Sequence, residues 1–96
     1  MNEFLLQNIN HYGIRTEIKK LSEEIFELQE AILDYELDDT NIDGNYEHVI
    51  EEIADSFIIL KQILLYYKIT DEQLNDMMNR KMNRQKARLD KELQGD

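Results

Sequence analysis

Four acidic side chains stand out by type and spacing. Glu24 and Glu27 form one pair at i,i+3, and Glu52 and Asp55 form another. On an α-helix that interval puts both carboxylates on one face, roughly 60° apart and one turn along the axis. Two such helices laid face to face would gather four carboxylates. Hard oxygen ligands of this kind suit magnesium or manganese, most of all when a substrate's phosphates complete the coordination.

Spacing by itself selects nothing. Acids fill 21 of the 96 positions, a density at which chance supplies about four acidic i,i+3 pairs. The chain has four, the other two being Glu27 with Glu30 and Glu36 with Asp39. Context separates them. Asp55 lies between Ala54 and Ser56 in the apolar run from Ile53 to Leu60, and Glu52 shares a helix side with Ile59 and Ile63. Carboxylates there would be partly desolvated, at a cost of several kcal/mol per ion unless a cation or protons compensate. The composition leaves two readings open for this pair: a metal or phosphate site, or a buried salt bridge to Lys61 or to a basic residue of the last helix. On composition alone, Glu24 and Glu27 read as a solvated face.

Other chemistries find little support. There is no Gly-rich phosphate loop, so side chains and metal would have to hold any phosphate. His11 and His48 lack metal-ligand spacing, and the absence of Glu-x-x-His argues against a ferritin-like di-iron centre. His48, at the start of a predicted helix, reads as a capping or surface residue. The chain has no Cys, which removes disulfide scaffolds and thiolate sites and fits a reducing cytoplasm.

The elements that must carry these residues are helices. With 3 Gly and no Pro there are few breakers, and the fold class is all-α. Ile18, Leu21, Ile25, Leu28 and Ile32 mark one stripe of a helix from about Ile14 to about Leu37. A shorter amphipathic segment, Phe4 to His11, precedes it, with a break at Gly13. The turn formers from Asp38 to Asn45 predict a loop. A second long helix then runs from about Tyr46 to Tyr67, and Thr70 N-caps a last helix from Glu72 to about Leu93. We expect a single domain over residues 1–96, with no repeat or linker.

The second long helix is apolar nearly all round. Ile50, Ile53, Phe57, Leu60 and Leu64 form one stripe, while Ile59 and Ile63 lie opposite. A helix of this kind must be buried nearly all round, and a 96-residue chain can hardly enclose it. We expect an antiparallel bundle completed by at least a second copy.

Charge is uneven. The whole chain carries a formal net charge of -10. Residues 80–96 hold six cations against three acids, a balance of +3, so the other residues carry -13. An acidic body disfavours nucleic acid polymers and anionic membranes. The apolar fraction of 42% is too high for a disordered acidic tail. Met1-Asn2-Glu3-Phe4-Leu5-Leu6 does not read as a secretory signal, and acids interrupt the run from Val49 to Tyr67, so a soluble cytoplasmic protein without a membrane span is expected.

Leu21-Ser22-Glu23-Glu24-Ile25-Phe26-Glu27-Leu28, followed by Glu51-Glu52-Ile53-Ala54-Asp55, resembles the MazG-like, all-α nucleoside triphosphate pyrophosphohydrolases. Those proteins carry E-E-x-x-E on one helix and E-E-x-x-D on the next. Asn10-His11-Tyr12-Gly13 and the pair Lys81 and Arg84 look like the small, phage-type members. The resemblance covers nearly the whole chain.

The resemblance implies magnesium-dependent hydrolysis of a nucleoside triphosphate to its monophosphate and pyrophosphate, by a homodimer or homotetramer. Glu24, Glu27, Glu52 and Asp55 would be the metal ligands, with manganese as an alternative ion. Glu23 or a ligand carboxylate such as Glu24 would activate water. Lys81 and Arg84 would neutralise phosphate oxygens, against the alternative of a solvated basic face. Tyr12, His11 and Asn8 are candidates to contact the nucleoside. The competing expectation, from another class, is a non-catalytic helical interaction module that keeps the fold.

Overall fold

The computed structural model describes residues 1–95; Asp96, the last residue of the expected domain, lies outside the described residues. Four helices follow in chain order: α1 (Asn2–Tyr12), α2 (Ile14–Leu37), α3 (Ile42–Tyr66) and α4 (Asp71–Leu93). The described residues form no strand, and no helix among them is long and apolar enough to cross a membrane.

Gly13 alone separates α1 from α2. Its backbone sits at φ 92° and ψ 152°, a region that only glycine occupies without strain. The chain can therefore reverse in one residue and lay α1 back against α3, with Asn8 bonded to Gln62. Between α2 and α3 the connection is shorter than the expected loop. Only Asp38 to Asn41 are non-helical, and Ile42, Asp43, Gly44 and Asn45 form the first turn of α3. Two local effects carry the helix back that far: Asp43 in the first turn complements the helix dipole, and Asn45 Nδ2 donates to the carbonyls of Asp34 and Asp38 at 3.5 and 3.3 Å.

The other two boundaries are made by local hydrogen bonds. At the end of α3, Ile69 N–H donates to the Leu64 carbonyl and Lys68 N–H to that of Leu65, at 2.9 and 3.2 Å. This is a Schellman closure, with Lys68 at φ 57° where glycine is usual. Thr70 is the N-cap of α4, as its residue type predicts. Gln73 N–H donates to Thr70 Oγ1 and Gln73 Oε1 accepts from Thr70 N–H, a complete capping box.

Helices α2 and α3 run antiparallel. Glu17 lies by Gln62, Glu24 by Asp55 and Asp34 by Asn45, so one register holds from end to end. The faces that meet differ from the apolar stripes. On α2 the inward face is Glu17, Leu21, Glu24, Leu28 and Ala31, while Ile18, Ile25 and Ile32 are exposed. On α3 the buried residues are Glu52, Ser56, Ile59 and Gln62, and the stripe Ile50, Ile53, Phe57 and Leu60 is left outside. The expected core stripe thus points away from this chain's own helices. Polar groups line much of the seam, and the strongest apolar stripe of α3 is left exposed.

Helix α4 has no buried residue and comes within 8 Å, Cα to Cα, of no other described helix. Among the described residues the buried apolar ones are Ile9, Ala31 and Ile59, which contribute little against backbone ordering of about 1–2 kcal/mol per residue. The chain exposes 8082 Å², whereas a compact monomer of its mass would expose about 5,800 Å². Its radius of gyration is 17.3 Å, against about 12.5 Å for a compact domain of this length.

Candidate metal and phosphate site

The α2–α3 register brings three of the four singled-out acids together. Glu24, Glu52 and Asp55 each offer a carboxylate oxygen, and these atoms lie within 4.8 Å of one another. Glu24 projects from the inward face of α2. Glu52 is buried, while Asp55, one turn further along α3, is exposed. The expectation that apolar neighbours would desolvate Asp55 is corrected: Ile53, Phe57 and Leu60 face outward, and Asp55 opens onto a cleft.

Glu24 Oε2 and Glu52 Oε2 are both buried and have no hydrogen-bond partner. Glu24 is accordingly pushed up from 4.5 to about 7. Burial is the main cause, followed by a hydrogen bond that the protonated form makes to Glu52. The negative charges of Glu27, Asp55 and Glu52 add to it. Such a group is poised either to keep a proton or to exchange it for a cation.

Glu27 acts on Glu24 through its charge but is exposed and lies outside the three-carboxylate group. With Glu30, Asp34, His48 and Glu52 it lines a second opening of about 230 Å³ on the far side of Glu52. His48 is exposed, as its reading as a surface residue expects, and its Nε2 lies 3.3 Å from Glu52 Oε1. The side chain beside Glu52 is therefore a histidine one turn earlier, and not Lys61 or a residue of α4. Lys61 instead borders an apolar cavity of about 540 Å³ with Leu5, Phe57, Leu60, Leu74 and Met78.

Glu23 is exposed on α2, outside the cluster. Lys81 and Arg84 are exposed on α4, whose backbone stays more than 8 Å, Cα to Cα, from α2 and α3; the single chain does not bring them to the carboxylates. His11 and Tyr12 line a shallow hollow on α1 with Phe4, Gln7 and Asn8. Phe4 and Asn8 also reach the main cleft. That cleft, about 330 Å³, is lined by Phe4, Asn8, Lys20, Glu24, Asp55 and Gln62, among others.

Glu17 also lines this cleft and is fully buried. Acidic i,i+3 spacing does not single it out, because no acid stands three residues before or after it. Its signal is a different interval: seven residues before Glu24 is two turns, on the same face. Gln62 Nε2 donates to Glu17 Oε2 at 3.4 Å, and Gln62 Oε1 accepts from Asn8 Nδ2 at 2.7 Å.

Comparison with protein-family models, with curated proteins and with solved structures gave no match to this chain.

Proposed function

We propose that this chain is a metal-dependent nucleoside triphosphate pyrophosphohydrolase of MazG-like type, working as a homodimer or homotetramer. The observation that carries the reading is the meeting of Glu24, Glu52 and Asp55, with two buried carboxylate oxygens left without donors. An all-oxygen donor set of this charge fits magnesium or manganese. Glu24, Glu52 and Asp55 would hold the ion, with Glu27 beside them. When bound, the ion screens the phosphates, lowers the pKa of water and stabilises charge on departing pyrophosphate.

The chain's own residues do the rest. Glu24 or Glu23 accepts the proton of the attacking water. The water oxygen bonds to the α-phosphorus as the bridging oxygen leaves with pyrophosphate, giving the nucleoside monophosphate. Asn8, His11 and Tyr12 border the space for the nucleoside. Lys81 and Arg84 would reach phosphate only from another copy's α4 or after α4 swings in.

Oligomerisation is supported by area. The excess of about 2,300 Å² over a compact monomer falls in the range one partner buries in an obligate interface, and the outward stripe of Ile53, Phe57 and Leu60 supplies its apolar centre. The test is a panel of canonical nucleoside triphosphates with magnesium or manganese, monitored for monophosphate plus pyrophosphate. Turnover of one or more nucleotides that ceases with chelator is expected. No turnover, with no thermal shift on adding either ion, would leave the helical interaction module as the better reading.

A further inference from the structure

Glu17 is a buried carboxylate that the reaction above does not use. Its side chain is fully buried, and Oε1 has no hydrogen-bond partner. Gln62 donates to Oε2 alone, and a buried carboxylate oxygen without a donor is costly, so Oε1 is a vacant acceptor. The nearest cation is Lys20, whose Nζ lies 4.0 Å away on a side chain 51% exposed. That lysine is free to swing out and uncover Oε1. Around this acceptor the cleft presents the exposed ring of Phe4, the Asn8 and Gln62 amides and the Lys20 ammonium.

Geometry restricts what would fill it. Glu17 stands seven residues before Glu24, roughly 10 Å along α2. That is the reach from a triphosphate, across a pentose, to the outer edge of a base. A pentose hydroxyl beside the phosphates falls short. Resting on the pyrophosphohydrolase reading, we propose that Glu17 reads the base and that the base is guanine. Guanine offers a carboxylate two adjacent donors, N1–H and the N2 amine, while its O6 accepts from Lys20 or Asn8 and its face stacks on Phe4. Uracil and thymine flank their single N–H with carbonyls, which repel the carboxylate. Adenine and cytosine place a ring acceptor beside their amine.

The test is calorimetric binding of GMP, IMP, AMP, CMP and UMP with manganese, run beside turnover of the corresponding triphosphates. GMP should bind most tightly, and IMP, which lacks only the N2 amine, should bind about tenfold more weakly. Glu17→Gln should weaken GMP by about tenfold to a hundredfold and erase the gap between GMP and IMP. Turnover with no preference among bases, or a gap that survives Glu17→Gln, would overturn the assignment and leave the enzyme reading intact. Neither binding nor turnover of any nucleotide would overturn both. The comparison of GMP with IMP uses the unmodified protein, so it stands even if the variant misfolds.

Discussion

Glu24 and Glu52 face each other across the α2–α3 seam, each with its Oε2 buried and without a donor. One helix contributes a carboxylate held up to about 7, and the other contributes a buried carboxylate braced by His48. If the site takes a cation, stability and cation binding become two readouts of the same repulsion.

The metal-free protein should lose stability as pH rises. Glu24 has a folded pKa of about 7, above its ordinary 4.5, so the fold prefers the protonated form. That contribution is complete below pH 4.5 and fades as pH climbs through 7. Thermal melts of chelated protein should fall between about pH 5 and 7.5, and Glu24→Gln should flatten the decline. Melting temperatures that hold steady or rise over this interval would contradict the assignment.

Glu52→Gln and Asp55→Asn should each reduce hydrolysis by about a hundredfold or more. Both should leave the metal-free fold as stable or more stable, since each removes one of the mutually repelling charges. Steady-state kinetics and melts decide together. A loss of folding without any metal dependence would assign these acids a structural ion pair.

His48 should act on the cation through Glu52. The 3.3 Å contact between His48 Nε2 and Glu52 Oε1 orients the carboxylate from outside the cluster, an arrangement whose removal commonly weakens metal binding by about 10- to 100-fold. Titration calorimetry with manganese should show that loss for His48→Ala, with partial recovery for His48→Gln, which retains a donor. Unchanged affinity in the alanine variant would remove His48 from the site.

Phe57 is 65% exposed at the centre of the outward α3 stripe. If a second copy covers that face, Phe57→Lys should destabilise the assembly by about 3 kcal/mol or more, roughly a hundredfold in dissociation constant. Sedimentation at micromolar concentration should show the parent as an oligomer and the variant shifted toward monomer. A monomeric parent would refute the interface.

Gly13→Ala should cost about 1–3 kcal/mol. No atom lies within 4 Å of the position a Cβ would take, so the penalty is backbone strain at φ 92° and ψ 152° and not a clash. Lys68→Gly should move the other way, gaining about 1 kcal/mol by relieving the φ of 57°. Denaturant melts measure both.

Much of this architecture is legible along the chain because helices are local. The 3.6-residue period places α2 and α3, Gly13 marks the reversal, and Thr70 with Gln73 marks the start of α4. The loop from 38 to 45 reads too long, since turn-forming side chains such as Asp43 and Asn45 serve equally well in a first helical turn.

Which face turns inward is not a local property. The stripe Ile50, Ile53, Phe57 and Leu60 has the stronger claim to a core by hydrophobicity, yet Glu52, Ser56, Ile59 and Gln62 occupy the seam. Spacing nominated Glu24, Glu27, Glu52 and Asp55 equally. The antiparallel register united three of them, left Glu27 at the edge, and buried Glu17, which spacing had passed over. The sequence by itself determined where the chain is helical, through interactions spanning four residues or fewer. Only the tertiary structure decided which carboxylates meet, because repulsion and desolvation depend on distances between residues far apart in the chain.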